Sequence, residues 1–121
     1  MATRDLTAQD FNDTIASNDI VLVDFWASWC GPCRAFAPTF TASSEKHPDI
    51  VFGKVDTEAQ EQLAAAAEIR AIPTLMAFKK GHLIFSQAGA LPPAALEDLI
   101  TQVRDLDIDA AVAAESSATE V

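Results

Sequence analysis

The sequence predicts one α/β domain, with parallel central strands, an antiparallel hairpin at one edge of the sheet and helices on both faces. Two apolar, β-branched runs, Ile20–Trp26 and Ile50–Asp56, have the composition of strands that are covered on both faces. Two later runs, 73–78 and 82–88, are joined by a short link that contains glycine, which is typical of a hairpin. Helical segments between the central strands favour a parallel pairing with right-handed crossovers.

The first two helices flank the first central strand. Thr7 has the residue type of a helix N-cap, and Phe11 and Ile15 then share one face, so the first helix is expected to begin near Thr7. The segment before it has room for a short strand. The second helix is expected over residues 32–46, and Pro38 inside it should kink it.

The third and fourth helices follow the second central strand and the hairpin. Residues 58–68 are rich in strong helix formers, and residues 92–105 repeat leucine, isoleucine and valine on one face. We therefore predict a domain over residues 1–106. Residues 107–121 carry four acidic side chains and no basic one, which predicts a disordered acidic tail.

Composition and charge exclude several classes of function. The chain has 121 residues, half of them hydrophobic, and a formal net charge of −10. This charge opposes binding to phosphate backbones and to anionic membranes, so no nucleic-acid or membrane partner is expected. No apolar run reaches the length of about 18 residues that indicates a transmembrane helix, and the polar start lacks the pattern of a secretory signal. We expect a cytoplasmic monomer.

The two cysteines of the chain stand two residues apart. Cys30 and Cys33 enclose Gly31 and Pro32 at the start of the second predicted helix. Residues three apart on a helix are neighbours, so the two sulfur atoms can reach bonding distance. The loop that such a disulfide closes is too short to stabilise the fold much. The N–H groups of a helix N-terminus stabilise a thiolate, so the pattern favours a redox-active pair in which Cys30 is exposed and attacks.

Two alternatives to a redox pair remain. A structural zinc site needs four ligands, and beyond the cysteines the sequence offers only His47 and His82, which are far apart and each expected in a solvated turn. The thiols could also be inert. The spacing favours redox chemistry over both, with no metal bound.

The motif WCGPC, Trp29–Cys33, preceded by VDFWA and followed by IPT at Ile72–Thr74, resembles the thioredoxin family. The resemblance covers about residues 5–105 and implies the thioredoxin fold. It implies a protein-disulfide reductase that needs no bound cofactor and works by dithiol–disulfide exchange, with Cys30 as attacking thiolate and Cys33 as resolving thiol. Its implied partners are disulfide-containing proteins and an NADPH-dependent thioredoxin reductase. The Gly-Pro pair resembles the reducing members.

Asp24 interrupts an apolar strand, where a carboxylate is costly unless it is paired or protonated. From the residues alone it could equally be a partly exposed strand residue. The resemblance implies that Asp24 accepts the proton of the buried thiol, with a pKa raised by desolvation. Lys54, on the neighbouring strand, matches a family lysine close to that carboxylate, and otherwise it would be a solvated lysine at a strand end.

The resemblance also implies a substrate-binding surface and a cis peptide bond between Ile72 and Pro73. This surface is expected to comprise six residues around the cysteines: Trp29, Gly31, Pro32, Ile72, Pro73 and Gly89. A binding module on the same fold and an oxidant or isomerase are the competing functions, because a fold alone does not fix the activity.

Overall fold

The computed structural model describes residues 2–111 and contains a five-stranded mixed sheet of order β1-β3-β2-β4-β5. β1 and β2 each pair with β3 in parallel, whereas β4 pairs with β2 and β5 in antiparallel fashion. The strands are β1 Thr3–Asp5, β2 Ile20–Trp26, β3 Val51–Asp56, β4 Thr74–Lys79 and β5 His82–Ala88. The helices are α1 Phe11–Ser17, α2 Gly31–Lys46, α3 Glu61–Ala66 and α4 Pro93–Asp105. This order confirms the predicted α/β architecture.

The sheet separates two hydrophobic clusters. On one face, Leu22 and Phe52 pack with Phe36 and Phe40 of α2 and with Ile100 of α4. On the other face, alternate residues of the same strands pack with α1 and with partly buried residues of α3 and the segment after it. Successive side chains of a strand point to opposite faces, and β2 is apolar on both, so its sequence is an almost continuous apolar run.

The first helix begins later than predicted. Phe11 is its first residue, and Asp10 is the N-cap. Thr7 lies in a turn before the helix: its N–H donates to the Asp10 carboxylate at 2.7 Å, and its carbonyl oxygen accepts from Phe11 N–H at 3.0 Å. The hydrogen-bonding side chain is therefore Asp10, and Thr7 supplies backbone groups.

The third helix is shorter than predicted at both ends. The Asp56 carboxylate accepts the N–H groups of Glu58 and Ala59, which keeps these residues in a turn before the helix. At the other end, Glu68 takes a positive φ of 58°, which a helix cannot continue through. The predicted helix propensity of residues 58–68 is therefore overridden by local side-chain and backbone contacts.

The predicted hairpin is present, with β4 extending through Lys79. Lys80 and Gly81 form the link, and both have positive φ, 50° and 83°, which suits the tight turn between antiparallel strands. Lys79 is not part of the link: its side chain enters the interior, where Nζ donates to carbonyl oxygens at the end of α4. This contact fastens the last helix to the sheet.

The predicted tail is described only at its start. Residues 108–111 are helical, and Ile108 is 4% exposed, so the disorder predicted from residue 107 does not extend to these positions. Burial of the one large apolar side chain there accounts for the difference. The prediction for residues 112–121 lies outside the described residues. Over residues 2–111, every helix is too short or too polar to cross a bilayer.

Candidate active site

The two cysteines lie at the N-terminus of α2 and form a disulfide, with their Cα atoms 5.2 Å apart. Cys30 is the N-cap residue, and its Sγ accepts the backbone N–H of Cys33 at 3.2 Å. An N-cap serine or threonine uses its oxygen in the same way. Because the same N–H would face a thiolate after reduction, this position stabilises negative charge on Cys30 more than on a residue within the helix.

The exposure predicted for the cysteines is corrected by the structure. The sequence predicts an exposed Cys30, but in the disulfide its exposed fraction is 4%, against 2% for Cys33. The neighbouring Trp29, in contrast, is 64% exposed. The two cysteines therefore differ mainly in backbone position, since Cys30 is the N-cap and Cys33 lies in the first turn. Their exposed fractions are nearly the same.

Asp24 lies on the α2 face of β2 and is fully buried. Among residues 2–111, neither of its carboxylate oxygens has a hydrogen-bond partner. Burial raises the pKa of Asp24 to about 6, and the positive charge of Lys54 opposes this rise without cancelling it. The direction of this pKa shift agrees with the sequence expectation, and a carboxyl that titrates near neutral pH can take up a proton and release it.

Lys54 is the direct neighbour of Asp24 in the parallel pairing of β2 with β3. Its Nζ lies 5.1 Å from the centre of the Trp26 ring, a cation–π arrangement. Lys54 is partly buried. It is therefore less solvated than a lysine at an exposed strand end, which was the alternative that the sequence left open. Its charge acts on Asp24 through space, since no hydrogen bond joins the two side chains within residues 2–111.

The turn before β4 lies against the disulfide. The Ile72–Pro73 peptide bond is cis, as expected, and the carbonyl oxygen of Ile72 lies 3.7 Å from Cys30 Sγ. Gly89 donates its N–H to the Pro73 carbonyl at 2.8 Å. Gly89 has a φ of 106°, and a Cβ there would meet no atom within 4 Å. Glycine at this position is thus required by the backbone conformation, and the space above it is open.

The exposed rim of the site is formed by α2 and by Trp29. Gly31 and Pro32 are both exposed in the first turn of the helix. The Trp29 indole donates its Nε1–H to the Glu58 carboxylate at 2.8 Å, and a shallow depression of about 200 Å³ separates the ring from Ile72. Sequence reasoning missed Glu58, since nothing in its local sequence distinguishes it from the other acidic residues of segment 58–68.

The histidines do not join the cysteines. His47, expected in a solvated turn, lies in a polar network in which Nε2 donates to Glu97 and Nδ1 accepts from Arg104, at 2.7 and 3.0 Å. The guanidinium of Arg104 donates to the Asp49 carboxylate and holds the pKa of that carboxyl down to about 2. His82 is exposed at the start of β5. Within residues 2–111 no group of histidine, cysteine and carboxylate side chains could hold a metal ion.

Known proteins are similar to this chain in sequence and fold. The family model for thioredoxin matches residues 2–102. A Streptomyces coelicolor protein provisionally named thioredoxin 2 is 53% identical over 108 residues, which are 89% of this chain and 81% of that protein. Thioredoxin-1 of Saccharomyces cerevisiae is 40% identical over 94 residues, 78% of this chain and 91% of the relative.

The solved structures agree. A mutant thioredoxin of Halobacterium salinarum has a TM-score of 0.79 at 33% identity, and the similarity covers 86% of this chain and 91% of that one. The thioredoxin of Plasmodium falciparum has a TM-score of 0.77 at 33% identity, over 83% of this chain and 98% of the other. With a disulfide between Cys30 and Cys33 at the head of α2, this chain belongs to the thioredoxin family of thiol–disulfide oxidoreductases.

Proposed function

We propose that the protein reduces disulfides of other proteins, with Cys30 as the attacking thiolate and Cys33 as the resolving thiol. The observation that carries this assignment is the N-cap position of Cys30, where the Cys33 N–H meets Cys30 Sγ at 3.2 Å. Cys33 has no equivalent donor aimed at its sulfur among the hydrogen bonds of residues 2–111. Negative charge is therefore favoured on Cys30, and the thiolate is the species that attacks a disulfide.

The reaction proceeds in two exchanges. In the reduced protein, Cys30 Sγ attacks one sulfur of the substrate disulfide, whose S–S bond breaks, and the departing substrate thiolate takes up a proton. Cys33 then gives its proton to Asp24 and attacks Cys30 Sγ, which releases the second substrate thiolate and leaves the Cys30–Cys33 disulfide of the structure. Two electrons have passed to the substrate.

Asp24 suits the role of proton acceptor because its carboxylate is buried, unpartnered within residues 2–111 and has a pKa of about 6. Such a group is ionised at neutral pH and yet basic enough to accept a thiol proton transiently. Lys54 would hold this charge in place, since it is the nearest cation along the sheet.

The substrate-binding surface is proposed to run from Trp29 over the helix start to the turn before β4. Trp29 is exposed, Gly31 and Pro32 are exposed beside the buried disulfide, and the Ile72–Pro73 turn and Gly89 border the other side. An extended substrate segment could pair with the backbone of Ile72, as strands do in β-augmentation. We propose an NADPH-dependent thioredoxin reductase as the reductant and the cytoplasm, where thiols are kept reduced, as the compartment.

The two cysteine roles are tested by single serine substitutions. Cys33→Ser should still attack and accumulate as a mixed disulfide with a substrate protein such as insulin, whereas Cys30→Ser should form none and lose all turnover. Non-reducing electrophoresis and mass spectrometry measure the adduct. A mixed disulfide that forms with Cys30→Ser and is absent with Cys33→Ser would reverse the assignment.

A further inference from the structure

The turn between residues 71 and 73 presents three successive carbonyl groups, and the protein uses two of them itself. The Ala71 carbonyl oxygen accepts the Thr74 hydroxyl at 2.5 Å, and the Pro73 carbonyl oxygen accepts the Gly89 N–H at 2.8 Å. The Ile72 carbonyl between them faces Cys30 Sγ at 3.7 Å. The groups on both sides of Ile72 are thus fixed by internal donors.

Thr74 is hydrogen-bonded to this turn from the opposite face of the sheet. It pairs with Phe25 of β2 and Ala88 of β5, so its side chain lies on the α1 and α3 face of the sheet, opposite to Asp24. The residue is only 7% exposed. A buried hydroxyl needs an acceptor, and the Ala71 carbonyl oxygen supplies it. Thr74 therefore reaches the turn without sharing the face on which Asp24 lies.

The hydrogen bond fixes more than the Ala71 carbonyl. A trans peptide unit is planar, and its C=O and N–H point in opposite directions. When the Ala71 C=O is held inward by Thr74, the N–H of Ile72, which belongs to the same peptide unit, is directed outward. Ala71 is exposed and Ile72 is half-buried, so this outward direction leads to the surface beside the disulfide.

We propose that Thr74 is a positioning residue for substrate capture: through the Ala71 carbonyl it orients the Ile72 backbone so that an extended disulfide substrate can pair with it. This inference rests on the proposed disulfide exchange at Cys30. It predicts a selective defect. Substrates that carry a peptide backbone need the oriented Ile72 group, whereas a small disulfide without a backbone does not.

The test compares two pre-reduced variants in single-turnover oxidation by insulin and by the small aromatic disulfide 5,5′-dithiobis(2-nitrobenzoate). Thr74→Val removes the hydroxyl and keeps the shape, so the half-saturating insulin concentration should rise about five- to tenfold, as expected for the loss of one hydrogen bond, with the limiting rate within about twofold. The rate with the aromatic disulfide should not change. Thr74→Ser, which keeps the hydroxyl, should restore capture of insulin.

Thr14→Val is the matched control, because Thr14 is also 7% exposed and also donates its hydroxyl to a backbone carbonyl, that of Asp10, at 2.8 Å. It should leave both reactions unchanged. If Thr74→Val does not fold, Thr74→Ala makes the same comparison. If Thr74→Val slows the reactions with both disulfides equally, or leaves the reaction with insulin unchanged, the proposed role of Thr74 is wrong. If the wild-type protein reacts with neither insulin nor the aromatic disulfide, the proposed function itself is wrong.

Discussion

Asp24 and Lys79 are both charged and both buried on the α2 and α4 face of the sheet, yet their surroundings differ completely. Lys79, 7% exposed, donates from Nζ to the carbonyl oxygens of Val103, Arg104 and Leu106 at 2.7, 3.0 and 2.7 Å. Asp24, 0% exposed, has no hydrogen-bond partner within residues 2–111. An ammonium has three donors, and at Lys79 each of them is matched.

The difference follows from what each end of the sheet contains. Lys79 meets the C-terminus of α4, where the last carbonyl groups of the helix have no partner within the helix and carry partial negative charge. Asp24 lies near the end of β2 that precedes the cysteines, where its neighbours along the sheet are Lys54 and Leu75. Burial of a charge costs free energy, and hydrogen-bond partners offset this cost at Lys79 but not at Asp24.

Under the proposed mechanism, Asp24 is a place where the protein gives up stability for reactivity. A satisfied carboxylate at position 24 would hold its proton less readily, and its pKa would stay near 3.8 rather than rise to about 6. The raised pKa of the unsatisfied carboxylate is what the proposed proton-acceptor role of Asp24 requires. Lys79, in contrast, is expected to serve the fold alone.

Substitution of Lys79 should give the largest change in stability. Lys79→Met removes an ammonium that donates to three carbonyl groups at the end of α4 and leaves those of Arg104 and Leu106 without this donor, while Val103 keeps the Leu106 N–H at 3.3 Å. The free energy of unfolding should fall by about 3 to 4 kcal/mol. Urea unfolding of the oxidised protein measures this. Lys80→Met is the control, because the Lys80 ammonium is half-exposed and pairs with exposed Asp109 at 3.6 Å, so its loss should cost well under 1 kcal/mol.

The same Lys79→Met protein should exchange disulfides at the wild-type rate at a temperature where it is folded. A changed exchange rate would show that Lys79 affects disulfide exchange and is not purely structural. A loss of stability no larger than that of Lys80→Met would show that the buried contacts of Lys79 contribute little.

Asp24→Asn should have the opposite effect on stability. The pKa of Asp24 is higher in the folded protein than in the unfolded chain, so the folded state binds more protons between about pH 4 and pH 6, and stability falls as the pH rises through this range. Above pH 6 the penalty is constant, and the shift from 3.8 to about 6 corresponds to about 3 kcal/mol. The neutral amide avoids this penalty, so Asp24→Asn should be about 2 to 3 kcal/mol more stable at pH 7.5.

Unfolding curves at pH 4, 5, 6 and 7.5 test the sign. The gain of Asp24→Asn over wild type should be near zero at pH 4 and rise to its plateau above pH 6. Asp19→Asn, at an exposed carboxylate just before β2, is the control and should change the free energy of unfolding by well under 1 kcal/mol. A gain that is independent of pH would show that desolvation of the charge is not its cause.

Asp24→Asn should also slow the resolution step. Loss of the proton acceptor is expected to reduce the rate of Cys33 attack by about 100-fold near pH 7, the lower end of what a general base contributes. Quenched-flow detection of the mixed disulfide should show it persisting. An exchange rate equal to that of wild type between pH 6 and pH 9 would remove Asp24 from the mechanism.

The smallest effect concerns the coupling between the two buried charges. Asp24 is opposite Leu75, and Lys79 is four residues further along β4, which separates the two positions by about 13 Å along the strand. They share no hydrogen-bond partner among the described residues. The stability changes of Asp24→Asn and Lys79→Met should therefore add to within about 0.5 kcal/mol in the double variant, and a larger coupling energy would show that the two ends communicate.

Several features were determined by the sequence itself because they depend on neighbours along the chain. The apolar run of β2 predicts a central strand with its observed bounds, Ile20–Trp26, and the spacing of Cys30 and Cys33 predicts a disulfide at the start of a helix. The glycine-containing link predicts the hairpin. The resemblance carried by WCGPC and IPT added the cis bond before Pro73, which the residues alone do not favour.

Other features were decided by tertiary structure, because their partners are distant in sequence. The sequence places Lys79 in the link of the predicted hairpin, and its buried contacts come from carbonyl groups at the end of α4, 24 to 27 residues later. Asp24 could be partly exposed until α2 and the sheet exclude water from it. Burial and the direction of a backbone carbonyl depend on how elements pack, and local patterns do not encode either one.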